Sequence, residues 1–326
     1  MDAITQIRRV IQGKGTSPWI LDADIIKCFD NITHEPILQR IPVFKSIINR
    51  WLKTKVVSLG QWMTTIKGTQ QGGIISPLLA NIALDGMDRL FNGVTRYGDY
   101  KSPAVRIGKD KGITVVRYAD DFVVLAPSKE ILESYVIPKI KIFLSQRGLS
   151  VNETKTSIKH RTEGFNFLGF TTKLFESNNR RSLITKPDKK RVQRYLSYIK
   201  SIISTKKQIS TDDLIKQLNP VIRGWTNYYT FVSSKKIFSY VDYRLFKLIW
   251  RWCKRRHPMK SSQWVMDRYF RRVGSRKWTF AGEEESLLYH ADVPYKNYVQ
   301  TKIRASPYDS LLKDYWKNKY TSTSYL

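Results

Sequence analysis

Three carboxylates stand beside short apolar runs in the first half of the chain. Asp24 ends one apolar segment, and Asp120 and Asp121 lie between two others, residues 113–116 and 122–125. Burying such acids beside Val, Ile and Leu costs free energy unless a cation compensates them. Carboxylate oxygens suit Mg²⁺, which takes one or two protein carboxylates and completes its shell with water and substrate phosphates. Two such ions about 3.5–4 Å apart activate a hydroxyl nucleophile and stabilise a leaving pyrophosphate.

These acids can act together only if the segments that carry them are neighbours. Residues 19–25 predict a strand, and the apolar runs around residues 118–121 predict a hairpin whose turn holds Asp120 and Asp121. If that strand lies beside the hairpin in one sheet, all three carboxylates meet at the rim of the sheet. The alternative is that Asp120 and Asp121 only form a turn, since Asp favours turns.

The remaining elements follow from periodicity and from helix start and stop signals. They are a helix from about Thr33, a helix that begins at Ser76 and Pro77, a helix over residues 129–147 closed by Gly148, a strand over residues 165–170, and helices from about Pro187, including one after Asp213 and one over residues 238–252. After Trp252 the pattern predicts an irregular, aromatic-rich segment. Mixed elements followed by helices predict an α+β part before a helical part.

The charge of the chain favours a polyanionic partner. The 326 residues carry a formal net charge of +30. Residues 1–180 hold 26 Lys and Arg against 16 Asp and Glu, whereas residues 181–326 hold 31 against 11. Such an excess destabilises a compact state unless a polyanion offsets it, and nucleic acid is the first candidate. The alternative for any single basic stretch is a solvated helix face.

Two cysteines, Cys28 and Cys253, are too few for a disulfide framework or a four-cysteine zinc site. No run of about 18 apolar residues predicts a membrane span. We therefore expect no zinc, no membrane partner, and a location in the bacterial cytoplasm or an organelle matrix.

Several longer motifs resemble one protein family. Residues 19–32 are WILDADIIKCFDNI, residues 67–82 are KGTQQGGIISPLLANI, and residues 117–125 are RYADDFVVL. In this order and spacing they resemble successive motifs of the group II intron-encoded reverse transcriptase/maturase family. Residues 152–156 and 165–170 resemble its next two motifs. The segment LNPVIRGWTNYY at residues 218–229 and the region around residues 255–270 resemble its maturase signature and its maturase-specific region, so that the resemblance covers roughly residues 4–280.

The resemblance implies an α+β fold, in which a reverse-transcriptase palm, an antiparallel sheet with helices, precedes an all-α thumb/maturase domain and a basic C-terminal region. The implied bounds are residues 1–175, 180–250 and 251–326. Compared with full-length members, we expect a fingers-truncated chain without the zinc-bearing endonuclease domain.

The resemblance also implies roles for individual residues. Catalysis and the binding of two Mg²⁺ ions fall to Asp24, Asp120 and Asp121, and Lys155 stabilises or protonates the leaving pyrophosphate. The nucleotide pocket includes Ile25, Phe29, Gln71 and Gly72. Phe29 matches an aromatic residue that excludes a 2′-hydroxyl. From the spacing alone, Phe29 could equally be a core residue. The segment with Gln71 and Gly72 could be a plain loop before a helix, and Lys155 could be a solvated surface residue.

RNA binding is the role implied for a mixed set of cations and aromatic residues, namely Arg223, Trp225, Tyr228, Tyr229, Arg251, Lys254, Arg255 and Arg256. Aromatic side chains stack on bases and cations contact phosphates. Trp225 and Tyr229 are four residues apart, so packing within a helical core is an equal alternative for these two.

The implied function is an RNA-directed DNA polymerase of a group II intron that also binds intron RNA for splicing and mobility. Its partners would be intron RNA, target DNA and deoxynucleoside triphosphates, and a separate fingers-containing chain or a dimer is left open. The alternatives are a maturase that binds RNA without polymerase activity, or a fragment of a split or decayed intron-encoded protein.

Overall fold

The strand that precedes Asp24 lies inside a four-stranded antiparallel sheet. The computed structural model describes residues 1–13, 17–54, 56–58, 61–63, 65–69, 73–91, 112–177, 180–206, 208–301 and 309–323. The strands of this sheet are β1 (Trp19–Ala23), β4 (Thr114–Tyr118), β5 (Asp121–Ala126) and β6 (Ser157–His160). Their order is β4-β5-β1-β6, and β1 pairs with both β5 and β6. The predicted hairpin and its position beside the first strand are confirmed.

Helices and short turns cover this sheet. They are α1 (Asp2–Gln12), α2 (Cys28–Asn31), α3 (His34–Arg40), α4 (Lys45–Leu52), α5 (Ser76–Ala83), α6 (Lys129–Ile131) and α7 (Ile137–Ser145), with a 3₁₀ turn at Met87–Arg89 and a π-helical turn at Leu132–Val136. Apolar side chains of helices α2 to α5 and α7 and of β1, β4 and β5 form one buried core. Helix α5 begins at Ser76 as predicted, and Pro77 fits its first turn because that position needs no amide donor.

Two smaller sheets accompany the larger one. Strands β2 (Val56–Ser58) and β3 (Gln61–Met63) form a hairpin. Strands β7 (Phe165–Phe167), β8 (Phe170–Ser177) and β9 (Arg180–Pro187) form a three-stranded sheet in that order. The single strand predicted over residues 165–170 is therefore wrong. Leu168 and Gly169 adopt φ values of +49° and +79°, and two consecutive left-handed residues reverse the chain between β7 and β8.

The later part of the chain is mainly helical, as predicted. Its helices are α8 (Lys189–Thr205), α9 (Thr211–Tyr229), α10 (Lys235–Arg256), α11 (Ser262–Tyr269) and α12 (Lys313–Thr323), with 3₁₀ turns at His290–Asp292 and Ser310–Leu312. Helix α9 starts after Ser210, whose hydroxyl accepts a hydrogen bond from the Asp213 amide. This is the usual chemistry of an N-cap.

The prediction that the chain turns irregular after Trp252 is wrong. Helix α10 continues to Arg256, and Ser261 caps α11 by accepting from the Trp264 amide. A hairpin follows, made of β10 (Phe270–Val273) and β11 (Arg276–Phe280). Gly274 closes its turn at a φ of +56°.

The chain divides into two compact units. The first consists of residues Met1–Leu168 and Thr172–Leu183, and the second of Gly169–Thr171 and Ile184–Leu326. Each unit has its own hydrophobic core. None of the described helices is both long enough and apolar enough to span a bilayer.

Candidate active site

The three carboxylates lie at one edge of the four-stranded sheet. Asp24 directly follows β1, and Asp120 occupies the two-residue turn between β4 and β5, with Asp121 as the first residue of β5. Because Ala23 pairs with Phe122 across the two strands, the end of β1 meets the start of β5. The register therefore brings Asp24 next to the turn that carries the other two acids.

A fourth carboxylate, Asp22, shows how close the charges are. Its pKa is raised to about 6, chiefly because burial penalises the ionised form, and the charges of Asp121 and Asp24 raise it further while Lys159 lowers it. The sequence-based assignment missed Asp22. Its signal was visible in the sequence: Asp22 stands two residues before Asp24, and side chains two apart on a strand share a face.

The buried thiol of Cys28, at the start of α2, is affected by the same acids. Burial is the main cause that raises its pKa to about 12, and the charges of Asp120 and Asp24 act in the same direction. The pKa of Asp22 is thus raised by the charges of Asp24 and Asp121, and the pKa of Cys28 is raised by those of Asp24 and Asp120. The acids that the sequence predicted to converge act electrostatically on shared neighbours.

Lys155 reaches this cluster from the segment after α7. Its Nζ lies 2.8 Å from Asp24 Oδ2. The hydrogen bond to Asp24, the charge of Asp24 and the charge of Asp121 raise the pKa of Lys155. The backbone fixes this segment, because the Asn152 amide donates to the Asp24 carbonyl at 2.8 Å and the Thr156 hydroxyl donates to the Asn152 carbonyl at 2.7 Å.

Arg117 fixes the turn that carries Asp120, a role that the sequence did not indicate. Its Nη1 donates to the Ala119 carbonyl and to Asn81 Oδ1 on α5, both at 2.8 Å. Ala119 adopts a φ of +54°, which is unfavourable for a residue with a side chain. The hydrogen bond to its carbonyl therefore holds a strained turn against the helix that follows the glycine-rich segment.

The predicted nucleotide pocket is described only in part, because Gln71 and Gly72 lie outside the described residues. Phe29 is half-buried on α2 and packs against the core of the first unit. The segment that leads to the glycine-rich loop is held beneath it: the Thr69 amide donates to the Phe29 carbonyl at 2.6 Å, and the Gly68 amide donates to the Ile32 carbonyl at 2.7 Å. The side chain of Ile25 is buried, and its backbone bridges to Val151.

The donor chemistry of the edge fits Mg²⁺. Across the described ranges no group of three or more His, Cys, Asp or Glu side chains is placed so that it could hold a metal ion. Mg²⁺ does not need three protein ligands, because one or two carboxylates suffice when water and substrate phosphates supply the other ligands. Asp24 and the pair Asp120 and Asp121 offer carboxylates from adjacent strands.

The aromatic residues predicted to bind RNA occupy different environments in the second unit. Tyr229 is only 3% exposed, and its hydroxyl donates to the Gly169 carbonyl at 3.2 Å. Trp225 is half-buried and stacks on Tyr195 with the ring centroids 4.3 Å apart. This burial favours core packing, the alternative that the spacing of these two residues left open. Tyr228 is 48% exposed and stacks on Phe170.

The predicted cations lie on exposed helix surfaces. Arg223 on α9 and Arg251 and Arg255 on α10 are exposed. Lys254 Nζ donates to the Lys260 carbonyl at 2.9 Å, and Arg256 Nη1 donates to the Ile209 carbonyl. Helix α10 carries eight Lys and Arg residues and one acid, and helix α8 carries five and none. This composition makes both helices strongly basic.

Two models of known protein families match this chain. The model of the reverse transcriptase (RNA-dependent DNA polymerase) family matches residues 1–172, more than half of the chain. The chain belongs to the reverse transcriptase family. A second model, the group II intron maturase-specific domain, matches residues 192–270 of this reverse transcriptase. The two matches, in this order, confirm the group II intron reverse transcriptase/maturase family that the motifs predicted.

Individual relatives are similar but longer. This reverse transcriptase is 24% identical over 318 residues to the group II intron-encoded protein LtrA of Lactococcus lactis subsp. cremoris, a match that covers 73% of this chain and 53% of LtrA. It is 25% identical over 301 residues to an uncharacterized 91 kDa protein in the cob intron of Schizosaccharomyces pombe, covering 72% of this chain and 37% of that protein. The chain thus spans about half or less of these relatives.

The chain also aligns with solved structures. The telomerase of Candida albicans in complex with a fragment of telomeric RNA aligns with a TM-score of 0.36 and 11% identity. The alignment covers 81% of this reverse transcriptase and 52% of that chain.

Proposed function

We propose that this chain is an RNA-directed DNA polymerase of a group II intron that also binds the intron RNA for splicing and mobility. The observation that carries the proposal is the position of Asp24, Asp120 and Asp121 at one sheet edge, with the Lys155 ammonium bound to Asp24. Membership of the reverse transcriptase family supports the polymerase, and the match to the maturase-specific domain supports RNA binding.

The chemistry is the displacement of pyrophosphate from a deoxynucleoside triphosphate by a primer 3′-hydroxyl. Asp24, Asp120 and Asp121 would hold two Mg²⁺ ions, which supply charge neutralisation for the triphosphate and lower the pKa of the attacking hydroxyl. Lys155, drawn into the site by Asp24, provides a positive charge and a proton for the leaving pyrophosphate. Arg117 holds the turn that carries Asp120 in position during the reaction.

The nucleotide contacts belong to the same proposal. Phe29, on the short helix behind Asp24, would limit space at the 2′ position of the incoming sugar, with the backbone at Ile25 beside the triphosphate and Gln71 and Gly72 beside the base pair. We also assign residues 1–175 to a palm, 180–250 to a thumb and 251–326 to a basic nucleic-acid-binding region. The site of action would be the bacterial cytoplasm or an organelle matrix.

RNA binding by the second unit is supported by charge and exposure. Exposed cations such as Arg223, Arg251 and Arg255 can contact phosphates, and the exposed ring of Tyr228 can stack on a base. The intron RNA, the target DNA and deoxynucleotides are the partners that this function requires.

Primer extension on an RNA template in Mg²⁺ tests the polymerase. The double variant Asp120→Asn/Asp121→Asn keeps the size of both side chains and removes both charges, so we expect extension to fall by about 10³-fold or more. Asp85→Asn, which removes an exposed acid paired with Arg89 on the surface, is the matched control and should extend primers like the wild type.

Binding to a group II intron RNA, measured on the same samples, separates the remaining outcomes. Extension that survives in the double variant would contradict the assignment of these carboxylates. A folded wild type that binds the intron RNA but extends no primer would instead support the maturase without polymerase activity.

A further inference from the structure

A cavity of about 590 Å³ lies in the second unit. Helix α10 forms one wall, the β10–β11 hairpin forms another, and the segment around the 3₁₀ turn at His290–Asp292 forms the third. The lining residues are Ser239, Asp242, Tyr243, Phe246, Arg276, Lys277, Trp278, Tyr289 and Ala291. The cavity thus combines four aromatic rings with two cations.

Two of these rings are exposed to solvent. Tyr243 is 54% exposed and Trp278 is 62% exposed, although both are large apolar side chains. Phe246 and Tyr289 are less exposed, and Phe246 stacks on Trp250. Exposed aromatic residues that line a cavity suit a flat ligand, because every nucleobase has a face on which such rings stack.

The charges around the cavity favour an anion attached to that flat group. Lys277 is exposed on the hairpin, and Lys247 Nζ lies 4.5 Å from the centre of the Tyr243 ring. The Arg276 guanidinium lies 3.8 Å over the Tyr289 ring, and its Nη2 is paired with Asp292 Oδ1 at 2.6 Å, so that Lys277 and Lys247 are the cations open to a ligand. Cations beside stacking rings match the phosphate and the base of a nucleotide.

The single acid of the lining is already used within the protein. Asp242 Oδ1 accepts from His290 Nδ1 at 2.6 Å, and Asp242 Oδ2 accepts from the Ala291 amide at 2.9 Å. His290 Nε2 in turn lies 2.6 Å from the Tyr195 hydroxyl. These bonds fix the wall of the cavity and leave the carboxylate tied to internal donors, so that its charge does not dominate the opening.

We propose that this cavity binds one unpaired nucleobase of an RNA strand, stacked on Tyr243 and Trp278, with the adjoining phosphates beside Lys277 and Lys247. The inference rests on the proposed RNA-binding function and gives it a specific site. A base inside a duplex cannot reach such rings, so the ligand is a single-stranded segment. RNA is favoured over DNA because the α10 wall, residues 239–246, lies within the match to the group II intron maturase-specific domain.

The test is equilibrium binding of the full chain to a fluorescein-labelled decauridylate, followed by fluorescence anisotropy. We expect Tyr243→Ala and Trp278→Ala each to weaken binding roughly 10-fold, the usual effect of removing one stacking ring. Tyr240→Ala is the matched control: this Tyr is 47% exposed on the same helix, one turn earlier, and does not line the cavity, so we expect less than a 2-fold change. Trp278→Phe keeps a ring and should restore most of the affinity.

Two further probes identify the ligand. The RNA duplex of decauridylate with decaadenylate, and the deoxyuridine decamer, should both bind more weakly than the single-stranded RNA. Photocrosslinking of 5-iodouridine in the same RNA should modify peptides that contain Tyr243 or Trp278. Thermal unfolding of each variant checks that the fold is kept.

The outcomes separate this site from the function on which it rests. The cavity assignment would be overturned by an equal loss of affinity in Tyr240→Ala, by crosslinks confined to other peptides, or by equally tight binding of the duplex. In each of these cases, wild-type binding to intron RNA would leave the proposed function standing. Equally tight binding of the deoxyuridine decamer with the same crosslinks would replace RNA by single-stranded DNA. A wild type that binds neither decauridylate nor intron RNA would contradict both.

Discussion

Lys155 Nζ lies 2.8 Å from Asp24 Oδ2, although 131 positions separate the two residues in the chain. The Lys155 side chain is 67% exposed, and solvent screens an ion pair at such a surface, so that the pair adds little to stability. Stability alone therefore gives little reason for this pair. The position of this cation at the edge of the sheet agrees with the role proposed for Lys155 at the leaving pyrophosphate.

We expect Lys155→Ala to reduce primer extension by about 10²-fold or more while the free energy of unfolding stays close to that of the wild type. The physical reason is the loss of the charge and proton that the leaving pyrophosphate needs. Single-turnover extension and urea unfolding measure the two quantities.

The pair formed by Lys141 and Glu153 supplies the control, because its Nζ–Oε1 distance is 2.7 Å and both side chains are at least half exposed. Lys141→Ala should leave extension unchanged. A similar loss in both variants would mean that general surface charge, and not the position of Lys155, explains the effect.

The turn that carries Asp120 depends on a hydrogen bond from outside the turn. Because Arg117 donates to both the Ala119 carbonyl and Asn81 Oδ1, we expect Arg117→Ala to slow extension by about 10- to 100-fold. Asn81→Ala removes only one of these contacts and should cost less. In a double-mutant cycle the two effects should be less than additive, and full additivity would show that the residues act independently.

The carboxylate edge was predictable from the sequence because it depends on local patterns. Apolar runs on either side of Asp120 and Asp121 predict a hairpin, and the apolar strand before Asp24 pairs inside the sheet, between β5 and β6. Residue type and spacing therefore carried most of the information for Asp24 and its neighbours.

Other contacts could not be predicted, since they join distant positions through backbone atoms or depend on unusual torsion angles. The hydrogen bonds of Arg117 to a carbonyl and to an amide 36 positions away have no periodic signal. Strand β7 ends after Phe167 because Leu168 adopts a left-handed backbone conformation, which a Leu in the sequence does not predict. The burial of Tyr229 could not be predicted either, because its spacing from Trp225 fits both a helix face packed in a core and a helix face that contacts RNA.

Gly68 is predicted to be intolerant of any side chain. Its φ is +85°, and a Cβ built there would lie 2.6 Å from the Asp30 carbonyl oxygen, which is backbone and cannot rotate away. We expect Gly68→Ala to lower the free energy of unfolding by about 2–4 kcal/mol and to slow extension, because this residue leads into the glycine-rich segment.

Gly274 separates torsional strain from the clash. Its φ is +56°, but no atom lies within 4 Å of the position that a Cβ would take. Gly274→Ala should therefore cost only about 1 kcal/mol. Urea unfolding of both variants gives the comparison, and equal costs would contradict the steric argument.

The last prediction concerns the stability cost of Asp22. Its pKa in the folded chain is about 6, above its ordinary value of 3.8, because burial and the charges of Asp121 and Asp24 oppose ionisation. An acid whose folded-state pKa is raised binds its proton more tightly when folded, so the stability of the fold falls as the pH rises from about 4 to about 6 and stays lower above that range. The shift corresponds to at most about 3 kcal/mol.

Asp22→Asn should therefore have a higher free energy of unfolding than the wild type at pH 8, and the difference should shrink towards pH 4. Urea unfolding at pH 4, 6 and 8 in EDTA measures this, with Asp267→Asn on the exposed face of α11 as the control for loss of one negative charge. If Asp22→Asn is no more stable than the wild type at pH 8, the claim that the fold raises the pKa of Asp22 is contradicted.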